Sequence, residues 1–120
     1  MNRILIAIVS FMLLVLTVAG CKSFVEKEEV EDLRSLEEGT YILLKDLEFE
    51  DEKLRRGTRV KLIISADKDW IKVYARDATV DPLEARRFLL LYMFEDQFPE
   101  EGFKKELFME KLKEQVRKIN

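Results

Sequence analysis

Arg59-Val60-Lys61-Leu62-Ile63-Ile64 and Trp70-Ile71-Lys72-Val73-Tyr74-Ala75, joined through Asp67-Lys68-Asp69, decide the fold of this 120-residue chain. The first run alternates polar and apolar for most of its length, which is the period of a strand with one buried face. The second is rich in aromatic and β-branched residues, which fit a pleated, half-buried surface. Aspartate on both sides of Lys68 suits a tight turn, because its carboxylate can bond to nearby backbone amides. Together they predict an antiparallel hairpin. In the second strand Trp70, Lys72 and Tyr74 fall on one face, and Ile71, Val73 and Ala75 on the other. If the aliphatic side faces the core, Trp70 and Tyr74 either lie under helices or are open to a partner.

Working outward, Gly39 opens a further strand-like run, Thr40-Tyr41-Ile42-Leu43-Leu44-Lys45. A charged stretch from Glu48 to Lys53 separates it from Arg56-Gly57-Thr58. Beyond the hairpin, Asp81-Pro82-Leu83-Glu84 has the residues of a helix start: an aspartate cap, a proline at the first helical position and a glutamate to complete a capping box. A helix is expected from there through Leu89, Leu90, Leu91, Tyr92, Met93 and Phe94, apolar around much of its circumference and so buried. Phe98-Pro99-Glu100-Glu101-Gly102 breaks the chain. A last helix is predicted from Phe108, Leu112, Val116 and Ile119, which share one face. The order Gly39-strand, loop, Gly57-strand, turn, Trp70-strand resembles small SH3-like barrels. The expected fold is therefore a single α+β domain over residues 39–120: a small SH3-like antiparallel β module over 39–80, followed by two C-terminal helices over 81–120.

Residues 1–20 are different material, with Arg3 as the one charged side chain and an apolar run from Ile4 to Ala19 broken by Ser10 and Thr17. At 16 residues this run is shorter than the roughly 20 that cross a bilayer comfortably. A basic start, a short apolar stretch and small residues at its end describe a secretory signal peptide. The stretch ends in Val18-Ala19-Gly20-Cys21, which resembles the bacterial lipobox: an aliphatic residue, two small residues and a cysteine. The resemblance implies that Cys21 is alkylated by diacylglycerol, that residues 1–20 are removed, and that the freed amine takes a further acyl chain. Two or three chains hold far more firmly than one. Lys22 follows, not the aspartate that resembles an inner-membrane retention signal, so the outer membrane is the expected destination.

Residues 22–38 carry Lys22, Lys27 and Arg34 against Glu26, Glu28, Glu29, Glu31, Asp32, Glu37 and Glu38, a net of −4. The remaining 82 residues hold 17 charges of each sign. Residues 21–38 thus read as a lipidated cysteine and an acidic, solvated tether, although Val30, Leu33, Phe24 and Leu36 leave room for a short helix.

The chain has no histidine and one cysteine. That excludes Ser-His-Asp and Cys-His catalysis, imidazole metal sites and an intrachain disulfide. A net charge of −3 does not point to nucleic acid. Glu48, Glu50, Asp51 and Glu52 are oxygen ligands in type, but they lack the glycine and spacing of a calcium loop and read as a solvated loop. The pairs Arg55-Arg56 and Arg86-Arg87 read as surface charge balancing nearby acids, with anion binding as the alternative. With no catalytic or metal residue and no cofactor beyond the lipid on Cys21, the expectation is a non-enzymatic protein whose candidate partner-binding residues are Trp70 and Tyr74.

The plan of lipobox, acidic spacer, small strand module and apolar C-terminal helices resembles small lipoproteins associated with bacterial type II secretion systems, some of which act as pilotins for the outer-membrane secretin. It implies a lipid-anchored accessory of the cell envelope that binds another envelope protein, such as a secretin, and it carries over no binding residue. The alternatives are an SH3-like module holding a peptidoglycan peptide or lipid, and a surface lipoprotein facing a host. A cavity lined by Trp70 and Tyr74 would favour ligand binding. A flat apolar groove between helix and sheet would favour protein binding.

Overall fold

The hairpin expected from residues 59–75 is the centre of the molecule. In a computed structural model, which describes residues 23–98 and 102–120, β4 (Arg59–Ala66) and β5 (Trp70–Asp77) pair antiparallel from Val60↔Asp77 to Ala66↔Ile71. Their turn is closed by the Asp67 N–H donating to the Trp70 carbonyl at 2.9 Å, while the Asp67 carboxylate accepts from the Lys68 N–H at 2.7 Å. Val60, Leu62 and Ile64 of β4 and Ile71, Val73 and Ala75 of β5 all point inward and are buried.

The hairpin sits in a five-stranded antiparallel sheet of order β6-β5-β4-β1-β7. Here β1 is Tyr41–Leu43, β6 is Phe88–Phe94 and β7 is Val116–Lys118. A two-stranded hairpin of β2 (Leu47–Phe49) and β3 (Glu52–Leu54) is inserted between β1 and β4. Two α-helices complete the described residues: α1 (Lys27–Arg34), continued by a 3₁₀ turn over Ser35–Glu38, and α2 (Lys105–Gln115). The molecule is an α+β fold built on an antiparallel sheet.

Three expectations are corrected. The segment after Asp81 is not a helix. The Asp81 carboxylate does accept from the Leu83 N–H at 2.9 Å, and the Glu84 and Ala85 amides donate to the Asp81 carbonyl. The turn stops there, with Leu83 95% exposed, and the chain runs out into β6. Pairing with β5 overrides the capping signal. A bulge explains why β6 does not read as a strand: Val73 lies opposite Leu91 and Tyr74 opposite Leu89, so Leu90 is an extra residue. Leu90 and Leu91 are both buried, which breaks the alternation that marks a strand.

The last helix is shorter than expected. It ends at Gln115, and Val116 to Lys118 turn extended and pair with Leu43 to Tyr41. Val116 still reaches the core, from a strand rather than from a helix face.

Residues 24–38 are not a free spacer. Phe24, Val25 and Leu33 are core residues. The Phe24 N–H donates to the Lys68 carbonyl at 2.8 Å, and its ring packs on Phe98 and Phe103, with centroids 6.2 and 5.7 Å away. Glu37 accepts from the Ile64 N–H at 2.9 Å, capping β4 where β1 has ended. The acids of the segment mostly face solvent while its apolar residues face the sheet. The expected signal peptide over 1–20, the lipobox residues Val18, Ala19 and Gly20, and Cys21 lie outside the described residues.

Candidate functional site

The inward set on β4 and β5 leaves a complementary outward set. On β5 it is Trp70, Lys72 and Tyr74, each half-buried. On β6 it is Leu89, Tyr92 and Phe94, with Leu89 48% and Tyr92 41% exposed. Register brings these together: Trp70 lies opposite Phe94, Lys72 opposite Tyr92, and Tyr74 between Leu89 and Ile63. The result is one apolar and aromatic face across neighbouring strands.

Lys72 lies within it. Its Nζ sits 4.5 Å from the Trp70 ring centroid and 5.2 Å from that of Tyr92, so one ammonium faces two aromatic rings. The Tyr92 and Phe94 rings pack at 5.1 Å. At one end a shallow cavity of about 270 Å³ is lined by Trp70, Tyr92, Phe94, Asp69, Glu95 and Asp96. Tyr74 does not line it, so Trp70 and Tyr74 share a face but not a cavity. β6 is an edge strand, pairing with β5 alone among the described residues. Large aromatic side chains on a sheet's edge strand are among the features of protein-binding surfaces.

Tyr92, Phe94 and Leu89 were not identifiable as site residues while the segment read as a buried helix. The aromatic content of Phe88–Phe94, out of place on a helix but typical of a strand, was the available signal.

The charged candidates resolve into structure. Arg86 meets Glu50 at 3.0 Å and Glu52 at 3.2 Å, and its guanidinium lies 4.9 Å from the Phe49 ring. The Glu50 hydrogen bond holds its pKa above the ordinary arginine value. Lys53 meets Asp46 and Glu48. The Asp46 carboxylate accepts from the Arg56 N–H at 2.7 Å, which holds its pKa below the usual carboxylate value. Three acids of the loop, Glu48, Glu50 and Glu52, thus have cationic partners. Among the described residues no three metal-ligating side chains converge, and no helix is long and apolar enough to cross a membrane.

A second concave surface lies at the other edge of the sheet, between α2 and the strands β1 and β7, with a volume of about 460 Å³. Its walls are Leu36, Leu44, Met109, Leu112 and Val116. Tyr41 closes one side; its hydroxyl donates to the Leu36 carbonyl at 3.1 Å, and burial raises its pKa.

The fold and this face define a small α+β protein that presents aromatic side chains at a sheet edge. Comparison of the chain with protein-family models, curated proteins and solved structures finds no match.

Proposed function

We propose that this chain is a lipid-anchored lipoprotein of the bacterial cell envelope, held in the outer membrane through acyl chains on Cys21. It works without catalysis, as a binding and assembly accessory for another envelope protein. A secretin of a type II secretion system is the partner the sequence plan suggests. The observation that carries the reading is the partly exposed aromatic face of Trp70, Tyr74 and Tyr92 on β5 and the edge strand β6. Anchoring would raise the effective concentration of this face near the membrane. With residues 24–38 packed onto the domain, little chain separates Cys21 from the globule, and the face would work close to the bilayer.

The SH3-like reading belongs to this proposal. An order of β7-β1-β4-β5-β6, all antiparallel, with a hairpin between the first two strands of the meander, supports it.

The test is photocrosslinking in intact cells from a benzophenone side chain placed at Tyr92 of the full chain. The expected product is a defined envelope protein, with a secretin as the first candidate. Recovery of glycan alone would favour the peptidoglycan-binding alternative, to which the cavity beside Trp70 would then belong.

A further inference from the structure

The groove between α2 and the β1–β7 edge has no part in the aromatic face, which lies at the opposite edge of the sheet. Its volume falls within the range of roughly 300–1,000 Å³ typical of ligand sites. Its walls are apolar, and the one neutral polar group on them, the Tyr41 hydroxyl, already donates to Leu36. The remaining polar side chains are Lys113, Arg117 and Lys118, all cationic and exposed. Among the described residues no carboxylate pairs with any of them.

Their side chains offer polar partners to a ligand only at the cationic end. An acyl chain carries no polar groups along its length. A single anionic head group would meet the three unpaired cations, and the chain would cover the apolar walls. We infer that this groove binds one long-chain fatty acid, its hydrocarbon against Leu36, Met109 and Leu112 and its carboxylate toward Lys113, Arg117 and Lys118. The site is separate from covalent lipid on Cys21 and does not depend on the proposed protein partner.

The experiment uses membranes isolated from cells that make the full chain. The probe is hexadecanoic acid with a diazirine on its tail, added without ATP or coenzyme A so that it is not transferred to Cys21. The matching diazirine alcohol serves as the uncharged control. The acid should label peptides containing Leu36, Met109 or Leu112, and more strongly than the alcohol does. Replacing Lys113, Arg117 and Lys118 together by Ser should lower labelling by the acid about fivefold, as expected for exposed charge pairs, and leave the alcohol unchanged. Met109→Trp, which fills the groove from a half-buried position, should abolish labelling by both while the melting temperature holds. Labelling spread evenly over the chain, or equal labelling by acid and alcohol that ignores the three cations, would overturn the inference. So would full labelling of a folded Met109→Trp protein.

Discussion

The two faces of the β4–β5–β6 sheet are made by the same strands and do opposite things. Inward, Ile71, Val73, Ala75 and Met93 are fully shielded from solvent, and they are aliphatic or sulfur-containing side chains. Outward, one or two residues away along the same backbone, Trp70, Lys72, Tyr74, Leu89 and Tyr92 remain in partial contact with water. If stability alone shaped the sheet, the outer face would be polar, as it is in antiparallel sheets with one solvated side. Part of it is: Arg59 and Lys61 on β4 are charged, and Lys61 donates to the Glu38 carbonyl. The apolar excess gathers on β5 and β6, toward the β6 edge of the sheet. Stability and binding can therefore be separated by mutation within a single strand.

The largest effect should come from uncovering the inner face. Phe24, Val25 and Leu33 close the core over the end of the hairpin. A chain beginning at Gly39 would expose their contacts and is expected to lose cooperative unfolding, as read by circular dichroism on heating. Leu33→Ala in the full chain should cost about 2–5 kcal/mol, the range for truncating a buried leucine. A cooperative, undiminished transition in the shortened chain would return residues 24–38 to the role of a tether.

The next test sets the two faces against each other on β5. Ile71→Ala should destabilise by about 2–5 kcal/mol in urea titrations. Trp70→Ala, one position away, should cost about 1 kcal/mol or less, and Tyr92→Ala similarly. Crosslinking to the partner should show the reverse order, with the outer variants impaired and Ile71→Ala retaining it wherever it remains folded. If Trp70→Ala unfolds the protein as Ile71→Ala does, the outer face is structural and the proposed binding surface is lost.

How much of this was legible in the sequence depended on the kind of signal. Alternation in β4 and β5 survives in the chain because each residue has one face to serve, and it located both the hairpin and the inward and outward sets. In β6 the same physics was hidden by Leu90, whose bulge places two buried leucines in succession and imitates the all-round apolar character of a buried helix. A capping motif at Asp81 that forms a single turn strengthened the wrong reading. For residues 24–38 the sum of charges dominated, although net charge does not tell which side of a short helix is apolar. Trp70 and Tyr74 could be nominated from β5 alone. Tyr92 and Leu89 could not, because they join that face only through long-range pairing with β5.

A smaller effect should follow from Lys72→Gln. It removes two cation–aromatic contacts, worth about 0.5–1 kcal/mol each at exposed sites. Trp70 is the single tryptophan, so its fluorescence reports this face directly. Its emission should shift while the melting temperature falls by only a few degrees at most. An unchanged spectrum would mean that the ammonium does not hold the two rings in solution.

The smallest effect concerns acid, and it tests whether the two faces respond to pH at all. Asp46 accepts the Arg56 N–H at the base of the β2–β3 hairpin, and this bond, aided by Lys53, holds its pKa below the usual carboxylate value. A depressed carboxylate pKa contributes to the folded state above the unfolded value of about 4, and the contribution fades as pH falls through the lower, folded value. Below pH 4 the Arg56 amide should therefore lose protection relative to its intrinsic exchange rate, as followed by nuclear magnetic resonance. Asp46→Ala should show that loss of protection at neutral pH. Asp46→Asn keeps an oxygen in place to accept the bond and should remove the pH dependence while retaining most of the protection. Trp70 emission should not move through the same titration, because neither Asp46 nor its partners lie on the outer face. If the Arg56 amide and Trp70 titrate together, the hairpin and the aromatic face are coupled, and acid would disturb the binding surface as well as the loop.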